Sequence, residues 1–347
     1  MKIIGCDFHP SYQQIAMVDE ETGELWEGRL EHEKGEARRF YESLSGPVLV
    51  GMEAIGNAQW FERMLAELKQ ELWIGDAAQI RRLVVRQQKT DRRDARHILE
   101  LLRDERFPRI WVPSAEMRDL RQLLRHRQKL VEMRTQVKNQ LQHLALNQGV
   151  RRKSRLWSRE GRAVLEKLAL EGWTARRRTE LLEMLDRLEG QVSELDQAVR
   201  TEAERRPEVR LLMTHPGVGP VVGLAYVLTI GPTARFPRGK QVASYLGLIP
   251  REHSSGGRQK LGAISKQGNT MMRTLLVEAA QTASRFDPEL CRDYRRLKAR
   301  KHSALAKVMV ARKLAVRLYW MLRENRSYAQ RPVAPMQGSP SHSVVAG

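Results

Sequence analysis

Between residues 181 and 199 one spacing repeats: Leu181, Leu185, Leu188, Val192, Leu195 and Val199 stand alternately four and three residues apart. Such steps return an apolar side chain to one side of an α-helix and form the seam along which two helices pack. Upstream, Leu123, Leu130, Val137 and Leu144 recur every seven residues. A strand cannot keep that period, so the stretch 115–205 reads as long helices. They close on each other as a hairpin, or on another chain as an intermolecular coiled coil. The segment between them, RRKSRLWSREGR at 151–162, is basic enough to touch a phosphate backbone and equally suits a solvated charged bend.

On either side the pattern changes. The runs KIIGCDF (2–8), QQIAMVD (13–19), LWEGRLEH (25–32), PVLVGME (47–53) and ELWIGD (71–76) are short, apolar and turn-bounded, as strands are. Helical stretches fall near 35–44, at 57–70 and from 77 to about 105. Three meandering strands followed by β-α-β-α units predict a mixed sheet covered by helices over residues 1–112. The helical middle then spans 113–206. A mostly helical domain with short connections follows at 207–326, and a Pro-, Ser- and Gly-rich tail expected to be disordered occupies 327–347.

Charge narrows the partner. Sixty-one Lys and Arg against 41 Asp and Glu leave a formal net charge of +20, which favours a polyanion, DNA or RNA above all. Two cysteines are too few for a disulfide framework or a thiolate zinc site. No apolar run approaches the roughly 20 residues that span a bilayer, and the first residues lack a signal-peptide layout. The expectation is a soluble, cytoplasmic protein with no membrane partner.

Against that basic background the acids stand out. Asp7 ends the first strand run and Glu53 the fourth, the edge where an open α/β sheet usually places its site. Asp91 and Asp94, three apart in KTDRRDAR, share a helix face. Taken alone, Asp91 suits an N-cap with Asp94 favoured in the first turn, Asp7 a turn residue and Glu53 a salt-bridge partner. Taken together, four converging carboxylates would repel one another unless a divalent cation neutralised them. Oxygen ligands suit Mg²⁺ or Mn²⁺, which can support phosphodiester chemistry. Arg92, Arg93 and Arg96 would then meet phosphates beside the metal.

Downstream, HPGVGPVVG (215–223) is a glycine turn entering an apolar helix. Gly217 and Gly219 would let backbone N–H groups approach a phosphate, or would simply make a helix–helix turn. Ser254 and Ser255 precede Gly256 and Gly257 in a loop flanked by Arg251, Arg258, Lys260 and Lys266. The residues alone read as a flexible phosphate-binding loop, with a nucleophilic serine as the less frequent alternative.

Seven motifs, GCDFH, GMEAIGN, KTDRRDAR, PGVGP, YLGLIP, SSGG and GAISKQGN, resemble in order and spacing the transposases of the insertion-sequence one-ten family. The resemblance runs from about residue 2 to 325. It implies a ribonuclease-H-like (RuvC-like) α/β domain at the N-terminus, a coiled-coil middle and a mostly α transposase domain. It also implies a DEDD recombinase guided by a bridge RNA, with Asp7, Glu53, Asp91 and Asp94 on Mg²⁺ and Ser255, rather than Ser254, as nucleophile. Donor and target double-stranded DNA and a homodimer joined through the coiled coil into a tetramer are the expected partners. A metal-dependent nuclease or junction resolvase using water, or a non-catalytic nucleic-acid scaffold, is the alternative.

Overall fold

The protein is seen here as a computed structural model that describes residues 1–83, 90–151, 154–252 and 261–330. The first compact unit, Met1–Pro113, holds β1 (Lys2–Phe8), β2 (Tyr12–Asp19), β3 (Leu25–Glu31), α1 (Glu36–Ser43), β4 (Val48–Glu53), α2 (Gln59–Glu67), β5 (Glu71–Gly75), α3 (Ala77–Arg82) and α4 (Asp91–Arg103). The strands lie in the order β3-β2-β1-β4-β5. β1, β2 and β3 form an antiparallel meander, and β1, β4 and β5 run parallel.

Side-chain alternation sorts the sheet into two faces. Ile4, Cys6 and Phe8 of β1 join Val50 and Met52 of β4 against Tyr41 of α1 and Phe61 and Leu65 of α2. Ile3 and Leu49 point the other way, onto Ile98, Leu99 and Leu102 of α4. On that second face β1 and β4 pair glycine with glycine, Gly5 opposite Gly51. A Cβ at Gly5 would fall 2.2 Å from Ala95 O and 2.4 Å from Leu99 N, so the helix backbone rests directly on the strand.

The second unit begins at Ser114. It holds α5 (Ala115–Asn147), α6 (Arg159–Glu166), α7 (Gly172–Arg205), α8 (Pro207–Met213), α9 (Pro220–Ile230), α10 (Gly239–Tyr245), β6 (Pro250–Glu252), β7 (Leu261–Ile264), α11 (Thr270–Phe286), α12 (Pro288–Arg300) and α13 (Ser303–Glu324). Lys138 pairs with Glu189 at 2.8 Å, Arg127 with Asp196 at 2.5 Å, and Glu116 with Arg206. Partners that advance along α5 retreat along α7, so the two helices are antiparallel.

The heptad seam is spent on that hairpin. Leu181, Leu185, Leu188 and Val192 are buried against Leu130, Val137, Leu141 and Leu144 of the same chain. This corrects the expectation that the seam joins two protomers: both apolar stripes belong to one chain, and the connection lets them face each other. Leu156 and Leu165 close the end of the hairpin beneath the basic segment, where Arg162 is paired to Glu166 and Asp186. At the other end Leu120, Leu124, Val199 and Ala203 merge into the core of α8–α13.

In that core α9 is apolar all round, and the buried Tyr226 and Tyr319 hydroxyls donate to Ala315 O and Phe236 O. β6 and β7 make a two-stranded antiparallel ribbon. Among the described residues no helix is long and apolar enough to cross a membrane. The tail beyond Gln330 lies outside the described residues.

Candidate metal centre

The cluster of acids is assembled by the close seating of α4 on β1. Ile3, Gly5 and Asp7 follow one another along one side of the strand, and α4 covers the first two. Its N-terminal turn therefore arrives over the third. Thr90, not Asp91, caps the helix by accepting a hydrogen bond from Arg93 N. This corrects the N-cap reading of Asp91, whose carboxylate is released and instead accepts a 2.7 Å hydrogen bond from Tyr12 Oη.

Three side chains converge. His9 Nε2 lies 3.1 Å from Asp7 Oδ2 and 3.6 Å from Asp91 Oδ2. One ligand atom from each of Asp7, His9 and Asp91 lies within 4.8 Å of the others, an arrangement that could hold a cation. The imidazole stacks on the Tyr12 ring, centroids 4.6 Å apart, and the Arg29 guanidinium lies over the same ring at 3.6 Å. Burial pushes the Asp7 carboxyl above its ordinary pKa. His9 opposes that shift, while the neighbouring charges of Asp94 and Asp91 add to it. A site that disfavours its own carboxylate charge is one that a divalent cation would relieve.

Of the four expected acids, Asp7 and Asp91 are brought together and Asp94 is near enough to act on Asp7. Glu53 is not a member of the three-residue group. The register sets it one residue beyond the Cys6–Met52 pair, beside Asp7, but its carboxylate accepts a 3.2 Å bond from Arg81 of α3. His9 and Tyr12 escaped the sequence reading. The legible signal was the spacing: Asp7 and His9 are two apart in an extended run and so share a side.

Arg92 and Arg96 both grip the buried carboxylate of Glu27 on β3, fixing α4 to the meander while their side chains stay half exposed. Arg93 is exposed. In the second unit Gly217 has φ +86°, and a Cβ there would fall 2.6 Å from Ala279 O, so this glycine serves the packing of a turn on α11. Gly219 precedes α9 with open space around it. Arg251 on β6 and Lys266, at φ +57°, are exposed beside the ribbon. Ser254, Ser255, Gly256, Gly257, Arg258 and Lys260 lie outside the described residues.

A sheet-edge cluster of this kind in a strongly basic chain defines a class, enzymes that act on nucleic acid, and comparison with known proteins narrows it. Residues 4–148 match the DEDD transposase family description for IS110, and residues 209–295 match the "Transposase IS116/IS110/IS902 family". The chain is 30% identical over 292 residues to "Probable family 20 transposase" of Pseudomonas aeruginosa, covering 81% of this chain and 84% of the relative. It is 28% identical over 294 residues to "Transposase for insertion sequence element IS1111A" of Coxiella burnetii, covering 82% and 78%. The chain belongs to the IS110 family of transposases and is a DNA transposase.

Proposed function

We propose that the protein is an RNA-guided serine recombinase, dependent on Mg²⁺ or Mn²⁺, that excises and inserts a mobile element. The observation that carries the reading is the convergence of Asp7 and Asp91, with Asp94 close by, at the carboxyl end of β1. The strand order β3-β2-β1-β4-β5, with an antiparallel meander and two parallel strands, supports a ribonuclease-H-like, RuvC-like first domain. Asp7, Glu53, Asp91 and Asp94 would hold the metal. A divalent cation held there would supply positive charge to a phosphodiester.

The chain's own groups do the rest. Ser255 Oγ forms a bond to phosphorus as the bond to the leaving deoxyribose oxygen breaks. The hydroxyl proton passes to that oxygen by way of solvent or a neighbouring base. The phosphoserine link keeps the bond energy for rejoining. Arg92, Arg93, Arg96, Arg251, Arg258, Lys260 and Lys266 meet phosphates of donor DNA, target DNA or a structured guide RNA, and Gly217 and Gly219 present backbone N–H groups. Two duplexes recombining together imply protomers paired as a dimer and then a tetramer.

The test incubates the full chain with RNA copurified from its host, Mg²⁺, and donor and target DNA, then denatures it and looks for protein-linked DNA. Ser255→Ala is expected to lose cleavage and adduct while binding survives on its many cationic contacts. Ser254→Ala should retain both. An adduct kept in Ser255→Ala and lost in Ser254→Ala moves the nucleophile by one residue. Cleavage without any adduct in the wild type leaves water as the nucleophile at the acidic site, the nuclease reading. No Mg²⁺-dependent cleavage leaves the scaffold.

A further inference from the structure

The group facing Asp7 and Asp91 across the centre is an imidazole, and its distances are those of a ligand. An octahedral ion with bonds of about 2.1 Å sets neighbouring donor atoms about 3.0 Å apart. His9 Nε2 stands 3.1 Å from one carboxylate oxygen, a hydrogen-bond distance, and 3.6 Å from the other, so a small contraction would set the nitrogen at that edge from both. We propose that His9 is itself a ligand of the cation held by Asp7 and Asp91, so that the centre is a mixed nitrogen–oxygen site favouring Mn²⁺ over Mg²⁺. The inference rests on the reading of these carboxylates as metal-binding.

The surroundings of His9 are built to hold it there. The ring lies flat on Tyr12, 22° from parallel. The hydroxyl of that same tyrosine fixes Asp91 by donating to Oδ2. One side chain therefore sets the imidazole plane and orients the carboxylate opposite it, as groups behind metal ligands commonly do. Arg29 lies over the Tyr12 ring and holds it in turn. Nε2 is the ring nitrogen that faces both carboxylates, so ligation would use its lone pair. Mg²⁺ binds through oxygen and retains water, whereas Mn²⁺, a first-row transition ion, accepts imidazole more readily. The nitrogen donor thus decides between the two ions.

The experiment loads the full-length chain with Mn²⁺ alone and reads the nuclei bound to it by electron spin echo envelope modulation. Wild type is expected to show an imidazole nitrogen coupling that His9→Ala lacks. Mn²⁺ affinity should fall about tenfold or more in His9→Ala, and Mg²⁺ affinity by less. Mn²⁺ bound in the wild type with oxygen and water couplings only overturns the ligation by His9 and leaves the carboxylate site standing. This result needs no variant to fold. A nitrogen coupling unchanged in His9→Ala belongs to another histidine and also overturns it. Wild type that binds no Mn²⁺, or binds it undiminished in Asp7→Asn, removes the carboxylate reading on which the inference rests.

Discussion

The seating of α4 on β1 is the joint on which the centre depends, and Gly5 tests it. In Gly5→Ala the new methyl would meet Ala95 O at 2.2 Å and Leu99 N at 2.4 Å, both backbone atoms of a helix that cannot turn aside. Ordinary contacts to carbon begin near 3.5 Å, so α4 must rise by about 1 Å. Overpacking of this kind costs roughly 1–3 kcal/mol, and a backbone obstacle places it near the top of that range. Loss of glycine freedom in the unfolded chain returns about 0.5–1 kcal/mol. The net is about 2–2.5 kcal/mol, or a fall in Tm of roughly 10 °C for a unit of this size. Gly51→Ala is the control. Its methyl meets Leu102 Cδ1 at 2.6 Å, the movable end of a side chain, and should cost only about 1 kcal/mol. Hydrogen exchange read on peptides covering β1 and β4 separates the first unit from the rest of the chain. Because lifting α4 carries Asp91 away from Asp7 and His9, Mn²⁺ affinity should fall in Gly5→Ala and hold in Gly51→Ala. Equal protection in the two variants, or Gly5→Ala within about 0.5 kcal/mol of wild type, would refute the close-seating argument.

Leu188→Ala should cost about 2–5 kcal/mol, because the side chain is buried within the hairpin, and should leave the particle mass by light scattering unchanged. A smaller particle would mean that the seam joins protomers after all. Asp287 is buried, which alone would raise its pKa, but the Leu290 N–H, Arg317, Tyr328 and His215 outweigh burial and hold it below the ordinary carboxylate value. Its stabilising share is therefore present above the unfolded pKa near 4 and lost as pH falls through the lower folded value. Asp287→Asn should cost about 3 kcal/mol at pH 7 by leaving Arg317 short of a buried partner, and the gap to wild type in thermal unfolding should narrow in acid. A gap independent of pH would contradict that account.

Much of the fold was legible because its signals are local and periodic. Short apolar runs bounded by turns marked β1, β2 and β4, the seven-residue recurrence marked α5, and the four-three spacing marked α7. What the period could not say is whose stripe meets whose. An a/d seam has the same sequence whether the partner helix is covalently linked or comes from another protomer, and it is the burial of Leu181–Val192 against α5 of the same chain that shows the hairpin here. The site was legible in its acids and illegible in its neighbours. Charge spacing pointed to Asp7, Asp91 and Asp94, but nothing in the sequence tells that Glu53 meets Arg81 or that Arg92 and Arg96 meet Glu27, since those pairs depend on rotamers at an exposed edge.

The helix-start and metal readings of Asp91 and Asp94 also prove compatible, because one residue separates them. With Thr90 accepting the Arg93 N–H, the cap is complete without a carboxylate. Both aspartates then sit in the first turn, where the helix dipole stabilises negative charge by about 0.3–1 kcal/mol each. That stabilisation lets α4 bring two acids toward a third. Asp7, on a strand, has no such dipole of its own helix to lean on, and burial first, with the charges of Asp94 and Asp91 adding to it, raises its proton affinity. Asp7 is also the residue that His9 faces at 3.1 Å. A cation among the three ligand atoms would relieve that charge. The same geometry that raises the proton affinity of Asp7 is therefore what a bound cation would offset.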